Sequence, residues 1–286
     1  MKEFPIPVVP FGAGSHPDAE QADFLPMPRD METFAMPASH LEADPPILAA
    51  ACELLLKLRS QMLNVAPNGA GRPRIDLTGM AAKVVALINQ TLGHGEVSIM
   101  VHAPVAFRIQ ETVFAGIWRI QELSSDGSLL RDSILAGSIP HVVQQSAVLA
   151  ASSGISPPEL QSGIMNAPAI VNELQDRSRG YRSGQSAHVI NLSLLPMSSE
   201  DLDYVIEALG VGPVMVLSRG YGNCRITSTR LAHVWWVQYF NSMDQLILNT
   251  LEVVDVPEVA QAAAEDYEDS IERLGEWLST MQEVAA

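Results

Sequence analysis

"FRIQETVFAGIWRIQ" (Phe107–Gln121) and "CRITSTRLAHVWWVQ" (Cys224–Gln238) stand 117 residues apart and align without a gap. The match extends outward from both segments. "LGHGEV" lies on "LGVGPV" and "SIPHV" on "DVPEV"; between Leu92–Val143 and Leu209–Ala260, 14 of 52 positions are identical. Self-similarity at a fixed spacing marks a duplicated unit. Each copy shows a helical pattern followed by apolar runs of strand length. The expected fold is therefore α+β: two tandem copies of a helix-covered antiparallel β-sheet unit. A pseudo-twofold axis relating them, as in a homodimer fused into one chain, is the natural arrangement.

Around this frame the chain divides into three. Residues 1–44 form an extended N-terminal arm rich in Pro and Met, in which "FLPMPRDMETFAMP" leaves little room for helix or strand. Phe24 and Met27 on that arm are candidate docking side chains. Residues 45–152 hold the first copy and residues 153–286 the second, with "SSGISPPELQSG" as the linker. "PILAAACELLLKLRSQM" and "AAKVVALINQTL" read as helices, and "FRIQETVFAGIWRIQEL" as strand. The last helix is expected to begin at Pro257 and run to about Gln282.

The duplication separates residues that serve the fold from those free to specialise. Arg108/Arg225, Thr112/Thr229, Trp118/Trp235 and Gln121/Gln238 are shared, and read as fold residues whose polar groups are satisfied within the sheet. Gly93/Gly210 and Gly95/Gly212 read as helix stop and turn. The differences gather in copy two. "LSRGYGN" replaces "MVHAPVA", so Arg219 and Tyr221 become candidate contacts on a turn. Cys224 stands where copy one has Phe107, which makes a small buried hydrophobe the plain reading and a thiol activated beside Arg219 or Arg225 the sharper one. Trp236 replaces Arg119; in an alternating strand one of Trp235 and Trp236 points away from the core, as an interface anchor or under the C-terminal helix.

Composition narrows the function classes. A net charge of −16 argues against nucleic acid or an anionic membrane as partner. Two separated cysteines, Cys52 and Cys224, make neither a disulfide scaffold nor the four-thiolate set of an iron–sulfur cluster. The seven His form no HExxH pair, and Gly93-His94-Gly95 is too short for a phosphate loop. No cofactor or metal is expected, and no catalytic residue is assigned. With no signal-like or membrane-length apolar run, the expectation is a cytoplasmic protein.

The stretch from "INLSLLPMSSEDLDYVIEALG" through "SRGYGNCRITSTRLAHVWWVQYFN" to the C-terminal helix resembles the HupH/HyaF family of hydrogenase expression proteins, as do "PPELQSGIMNAPAIVNELQDR" and "FLPMPRDMETF". That resemblance implies an accessory role, without catalysis, in maturing an uptake [NiFe]-hydrogenase. It implies as partners the iron–sulfur small-subunit precursor before export and a thioredoxin-like maturation companion. The alternatives are a redox or metal-delivery factor using Cys224, and a scaffold bridging other maturation proteins. Phe24, Met27, Arg219, Tyr221, Cys224 and Trp236 are the candidate partner contacts.

Overall fold

Strands β2 (Val97–Val101), β3 (Ala106–Glu111), β4 (Ile117–Leu123) and β5 (Leu129–Ala136) have counterparts 117 residues on: β7 (Val214–Ser218), β8 (Asn223–Ser228), β9 (Val234–Phe240) and β10 (Leu246–Val253). In the computed structural model, which describes residues 44–69, 71–220 and 222–285, they join one antiparallel sheet. Short edge strands β1 (Arg74–Asp76) and β6 (His188–Asn191) complete the order β1-β5-β4-β3-β2-β7-β8-β9-β10-β6. The two halves meet at β2 and β7, where Ile99 faces Val216 and Val97 faces Ser218 while Val101 faces Val214. The chain is thus α+β with a large antiparallel sheet. Among the described residues six α-helices flank it: α1 (Pro45–Met62), α2 (Ala82–Leu92), α3 (His141–Leu149), α4 (Ala167–Gly180), α5 (Ser199–Leu209) and α6 (Ala264–Ala285).

The run Phe107–Leu123 is two strands, with a tight turn at residues 112–116. The Thr112 hydroxyl accepts the Phe114 N–H at 3.2 Å, and Thr229 accepts that of Leu231 at 3.2 Å. This local bond offers the backbone an alternative to the ladder. Two residues further on the backbone takes positive φ in both turns, Gly116 at 77° and His233 at 61°. Gly116 has a further reason: a Cβ there would lie 2.6 Å from the Tyr267 ring. The His233 ring lies against Tyr181, with centroids 4.8 Å apart and the planes tilted by 40°. Gly95 and Gly212, expected as turn residues, are demanded by close approach instead, since a Cβ would strike the carbonyls of Thr112 and Thr229.

Three apolar clusters fill the molecule. One face of the central strands carries Ile99, Ile109, Trp118, Val216, Ile226 and Trp235, covered by α3 and a short 3-10 turn at Glu258–Ala260. The indoles of Trp118 and Trp235 donate to equivalent carbonyls, Gly137 at 2.9 Å and Val254 at 3.2 Å. On the opposite face, α4 and α5 close over Ile190, Trp236, Leu251 and Val253. Over the first half, α1 and α2 do the same with Ile117, Ile134 and Ala136, joined by Tyr267, Leu274, Leu278 and Met281 of α6.

Two expectations change here. The last helix begins at Ala264, seven residues after Pro257. The intervening chain closes a 3-10 turn and crosses toward the first half, where Ala262 N–H donates to Ser138 at 2.9 Å. Helix α6 then docks on α1, with Arg59 donating to the Ile271 carbonyl at 2.9 Å, and so does not cover the tryptophans. Helix α4 is absent from the sequence reading, although Ala167, Ile170, Val171 and Leu174 have i, i+3, i+4, i+7 spacing and are all buried. Its N-terminus is held by Asp201 of α5, whose Oδ1 accepts the N–H groups of Met165, Asn166 and Ala167 at 2.8–2.9 Å.

Candidate functional site

Of the three candidate contacts among the described residues, one is on the surface. Arg219 is exposed, just after β7. Phe24, Met27 and Tyr221 lie outside the described residues. Cys224 is 2% exposed, facing inward from β8 among Ile226, Trp235 and Val237. Burial pushes its thiol up to about 12, against a weaker opposing hydrogen bond from Tyr239. An activated thiolate needs the reverse, a cationic and accessible setting. Trp236 is 8% exposed. It does face away from Trp235, but the second face is also covered, by α4 and α5, so the indole is core and donates to Asn249 Oδ1 at 2.5 Å. Among the described residues no group of three or more His, Cys, Asp or Glu is placed to hold a metal ion.

The divergence of Trp236 from Arg119 has its consequence in the first half. There Arg119 grips Asp132 through Nε at 2.9 Å and Nη2 at 2.5 Å. Asp132 and Asn249 are themselves 117 residues apart, so the Arg–Asp pair and the Trp–Asn pair occupy the same place in the two halves. The flat ion pair leaves room that the indole fills. In the first half a cleft of about 300 Å³ opens between the end of α2 and the sheet, lined by Asn89, His94, Arg108, Gln110, Arg119 and Gln121 among others. Arg108 is exposed at this cleft. Its counterpart Arg225 lies over the Phe240 ring, 4.3 Å from the centroid, and the first half has Leu123 where that ring would be.

The second half presents a different surface. Asn249 N–H donates to Ser193 Oγ at 2.8 Å, seating the short 3-10 turn Leu192–Leu194 against β10. Beside it Leu194 is 81% exposed and Ile247 61% exposed, with Leu195 and Leu246 also exposed. Asn166 Nδ2 reaches the Pro196 carbonyl at 2.7 Å, which brings exposed Met165 to the same edge. In the first half Asp132 N–H donates to Thr78 Oγ1 at 3.0 Å in the same manner, but Gly79 and partly buried Met80 follow in place of Leu194 and Leu195. Leu129 and Leu130, the counterparts of Leu246 and Ile247, are also exposed, so what the second half adds to this edge is the exposed Leu194 and Leu195. Exposed apolar side chains gathered at one place mark a contact surface more often than singly scattered ones do. Sequence reasoning missed both features, because each depends on which side chain fills a space across the sheet.

The model of the HupH hydrogenase expression protein, C-terminal conserved region, matches residues 48–153 and 164–281. The chain belongs to this family. It is 41% identical over 281 residues to the hydrogenase expression/formation protein HoxQ of Cupriavidus necator, covering 97% of this chain and 98% of that one. It is 40% identical to the hydrogenase expression/formation protein HupH of Rhodobacter capsulatus, covering 99% of this chain and all of that protein. It is 30% identical to the hydrogenase-1 operon protein HyaF of Escherichia coli, covering 96% of each. Among solved structures, the hydrogenase expression protein HupH from Thiobacillus denitrificans is 26% identical and superposes with a TM-score of 0.39, covering 42% of this chain and 99% of that one.

Proposed function

We propose that this HupH-family chain is a non-catalytic accessory protein of hydrogenase maturation that holds an unfinished subunit, the iron–sulfur small-subunit precursor, in the cytoplasm before export. The observation that carries the reading is the exposed apolar edge of Met165, Leu194, Leu195, Leu246 and Ile247. A surface of this kind recognises exposed apolar segments of a protein that has yet to assemble. Binding only the immature form stabilises it by mass action and releases it once assembly buries the same segments. Arg219 and Tyr221 on the β7–β8 turn, and Phe24 and Met27 on the N-terminal arm, are proposed as further contacts, with a thioredoxin-like companion as a second partner. The inward position of Cys224 and the rise in its pKa favour holding over thiol chemistry.

The body that presents this edge is two copies of one unit about a pseudo-twofold axis beside the Ile99–Val216 pair. The shared spacing of eight of the ten strands, the mirrored strand order and the self-consistent β2–β7 register support it. On that account one copy kept a polar cleft while the other specialised its edge.

The test is an anaerobic pull-down of the tagged full chain from cells carrying a hydrogenase operon, read by mass spectrometry. The wild type should recover the small-subunit precursor with its signal peptide intact. The Leu194→Asp, Ile247→Asp double variant should recover it at least about tenfold less well, with unchanged circular dichroism. Equal recovery by the double variant would remove the apolar edge from the mechanism; recovery of accessory proteins alone would make the chain a scaffold.

A further inference from the structure

Strands β1 and β6 are the two edges of the sheet, and among the described residues no strand lies beyond either. The register tells which backbone groups of β6 face outward. Val254 N–H donates to the His233 carbonyl at 2.9 Å, and in an antiparallel ladder the bonding direction alternates along a strand. Glu252 and Thr250 therefore turn toward β9, while Val253, Leu251 and Asn249 turn toward β6. Asn249 N–H accordingly reaches Ser193 Oγ. Opposite them His188 and Ile190 turn to β10, which leaves Val189 and Asn191 with their backbone groups directed away from the sheet.

The two edges are guarded differently. Arg74 pairs with Leu135 and Val189 with Glu252, and these partners are 117 residues apart, so Arg74 and Asp76 stand where β6 has Val189 and Asn191. Charged side chains on an edge strand discourage a further strand from pairing with it. β6 has no charge at these two positions, and Val189 is half exposed. The same edge runs on into exposed Leu194 and Leu195. At about 3.3 Å per extended residue and about 2.0 Å per residue of 3-10 turn, a segment of about five extended residues reaches from Val189 to Leu195. Glu252, across from Val189 on the same face, puts an acidic group beside that path.

We infer that β6 is where an extended segment of the unfinished subunit adds to the sheet as a further strand, bonded through its backbone to Val189 and Asn191 and laying apolar side chains on Leu194 and Leu195. Glu252 and the chain's net charge of −16 select a neutral or basic segment. A second copy of the chain is the poorer occupant. Two bodies of charge −16 repel, and four residues a side bury far less than the roughly 1,200–2,000 Å² of a stable interface. This inference rests on the reading that the chain holds an unassembled protein, and states how it is held.

Fluorescence anisotropy of a labelled peptide, Lys-Val-Thr-Val-Thr-Val-Lys amide, titrated with the purified full chain tests it. Saturable binding in the millimolar range or tighter is expected. Two further peptides carry N-methyl groups, one on its valines and one on its threonines. A strand turns only one of these sets toward β6, so one peptide should bind at least about tenfold more weakly and the other should not. Val189→Pro should fold, because the N–H it removes serves no bond within the sheet, and should weaken binding at least about tenfold. If that variant does not fold, Val189→Arg, which imports the guard of β1, decides in its place. No binding of the parent peptide, equal loss with both methylated peptides, or wild-type affinity in the folded variant would each overturn the inference. So would a wild-type dimer, seen by sedimentation, that Val189→Pro dissociates, since the occupant would then be a second copy. The pull-down described above separates the two readings. Precursor recovered undiminished by Val189→Pro overturns the added strand and leaves the holding role in place; peptide bound at β6 by a chain that recovers no precursor removes the holding role instead.

Discussion

Iodoacetamide offered to the native protein should leave Cys224 unmodified on a timescale that consumes an exposed cysteine completely. The thiolate is the reacting species. Burial raises the thiol from 9.0 to about 12, which lowers the thiolate population about a thousandfold at any pH well below both values. With 2% exposure the sulfur also lacks a path to the reagent, so alkylation waits for the sheet to open. For a domain stable by about 5–15 kcal/mol, the globally open form is populated at about one part in several thousand or less. The expected rate is therefore at least about a thousandfold below that of a cysteine in a short reference peptide. Time-resolved alkylation followed by peptide mass spectrometry measures it, with Cys52 in the buried face of α1 as an internal comparison. Modification of Cys224 within about tenfold of the reference rate, in a protein whose circular dichroism is unchanged, would refute the reasoning and restore a thiol mechanism. Cys224→Ala should correspondingly leave hydrogenase maturation intact in complementation.

Glu111 is buried in the first half and accepts the Gly116 N–H at 3.2 Å; burial, with help from the charges of Glu96 and Asp266, raises its carboxyl from 4.5 to about 7. The folded state then binds more protons than the unfolded one between those values, so stability should fall as pH rises through that window. Glu111→Gln should remove that slope and be more stable than wild type at pH 8, by up to about 3 kcal/mol, with no advantage near pH 4.5; chemical denaturation at several pH values checks it. Asp201→Ala strips the acceptor from three N–H groups at the start of α4 and should cost roughly 3–5 kcal/mol, read as a lower denaturation midpoint. Gly95→Ala and Gly212→Ala should each destabilise by more than about 2 kcal/mol, because the new Cβ meets a backbone carbonyl in both turns; a neutral effect at either would show that the turn can shift.

The α+β class and most of the strands were legible from the repeat, because a buried strand and an amphipathic helix leave periodic marks that a second copy repeats. Trp118 and Trp235 were legible as core for the same reason. Trp236 was not: alternation correctly places it on the second face, but alternation is silent on whether a helix covers that face, and α4 does. Arg108 and Arg225 are identical in sequence and differ in setting, since Phe240 is present beside one and Leu123 beside the other. The cleft and the apolar edge escaped for a common reason. Each arises from neighbours brought together across strands or from a turn seated by one side-chain hydrogen bond, and no window along the chain contains both partners.

The docking of α6 on α1 has a consequence for how the molecule is made. Tyr267, Leu274, Leu278 and Met281 bury their side chains among residues that precede them by some 200 positions. At about 1.5–3 kcal/mol for each buried side chain, their combined burial is comparable to the whole stability of a typical domain. Helix α1 therefore waits, its apolar face uncovered, until the segment Tyr267–Met281 has been made. The latter half of the sheet and its α4–α5 roof can close on the ribosome before α1 finds its cover. A nascent chain stalled short of Tyr267 would carry a closed α4–α5 roof beside an uncovered α1, so that one half of the sheet is finished while the other still waits for its cover.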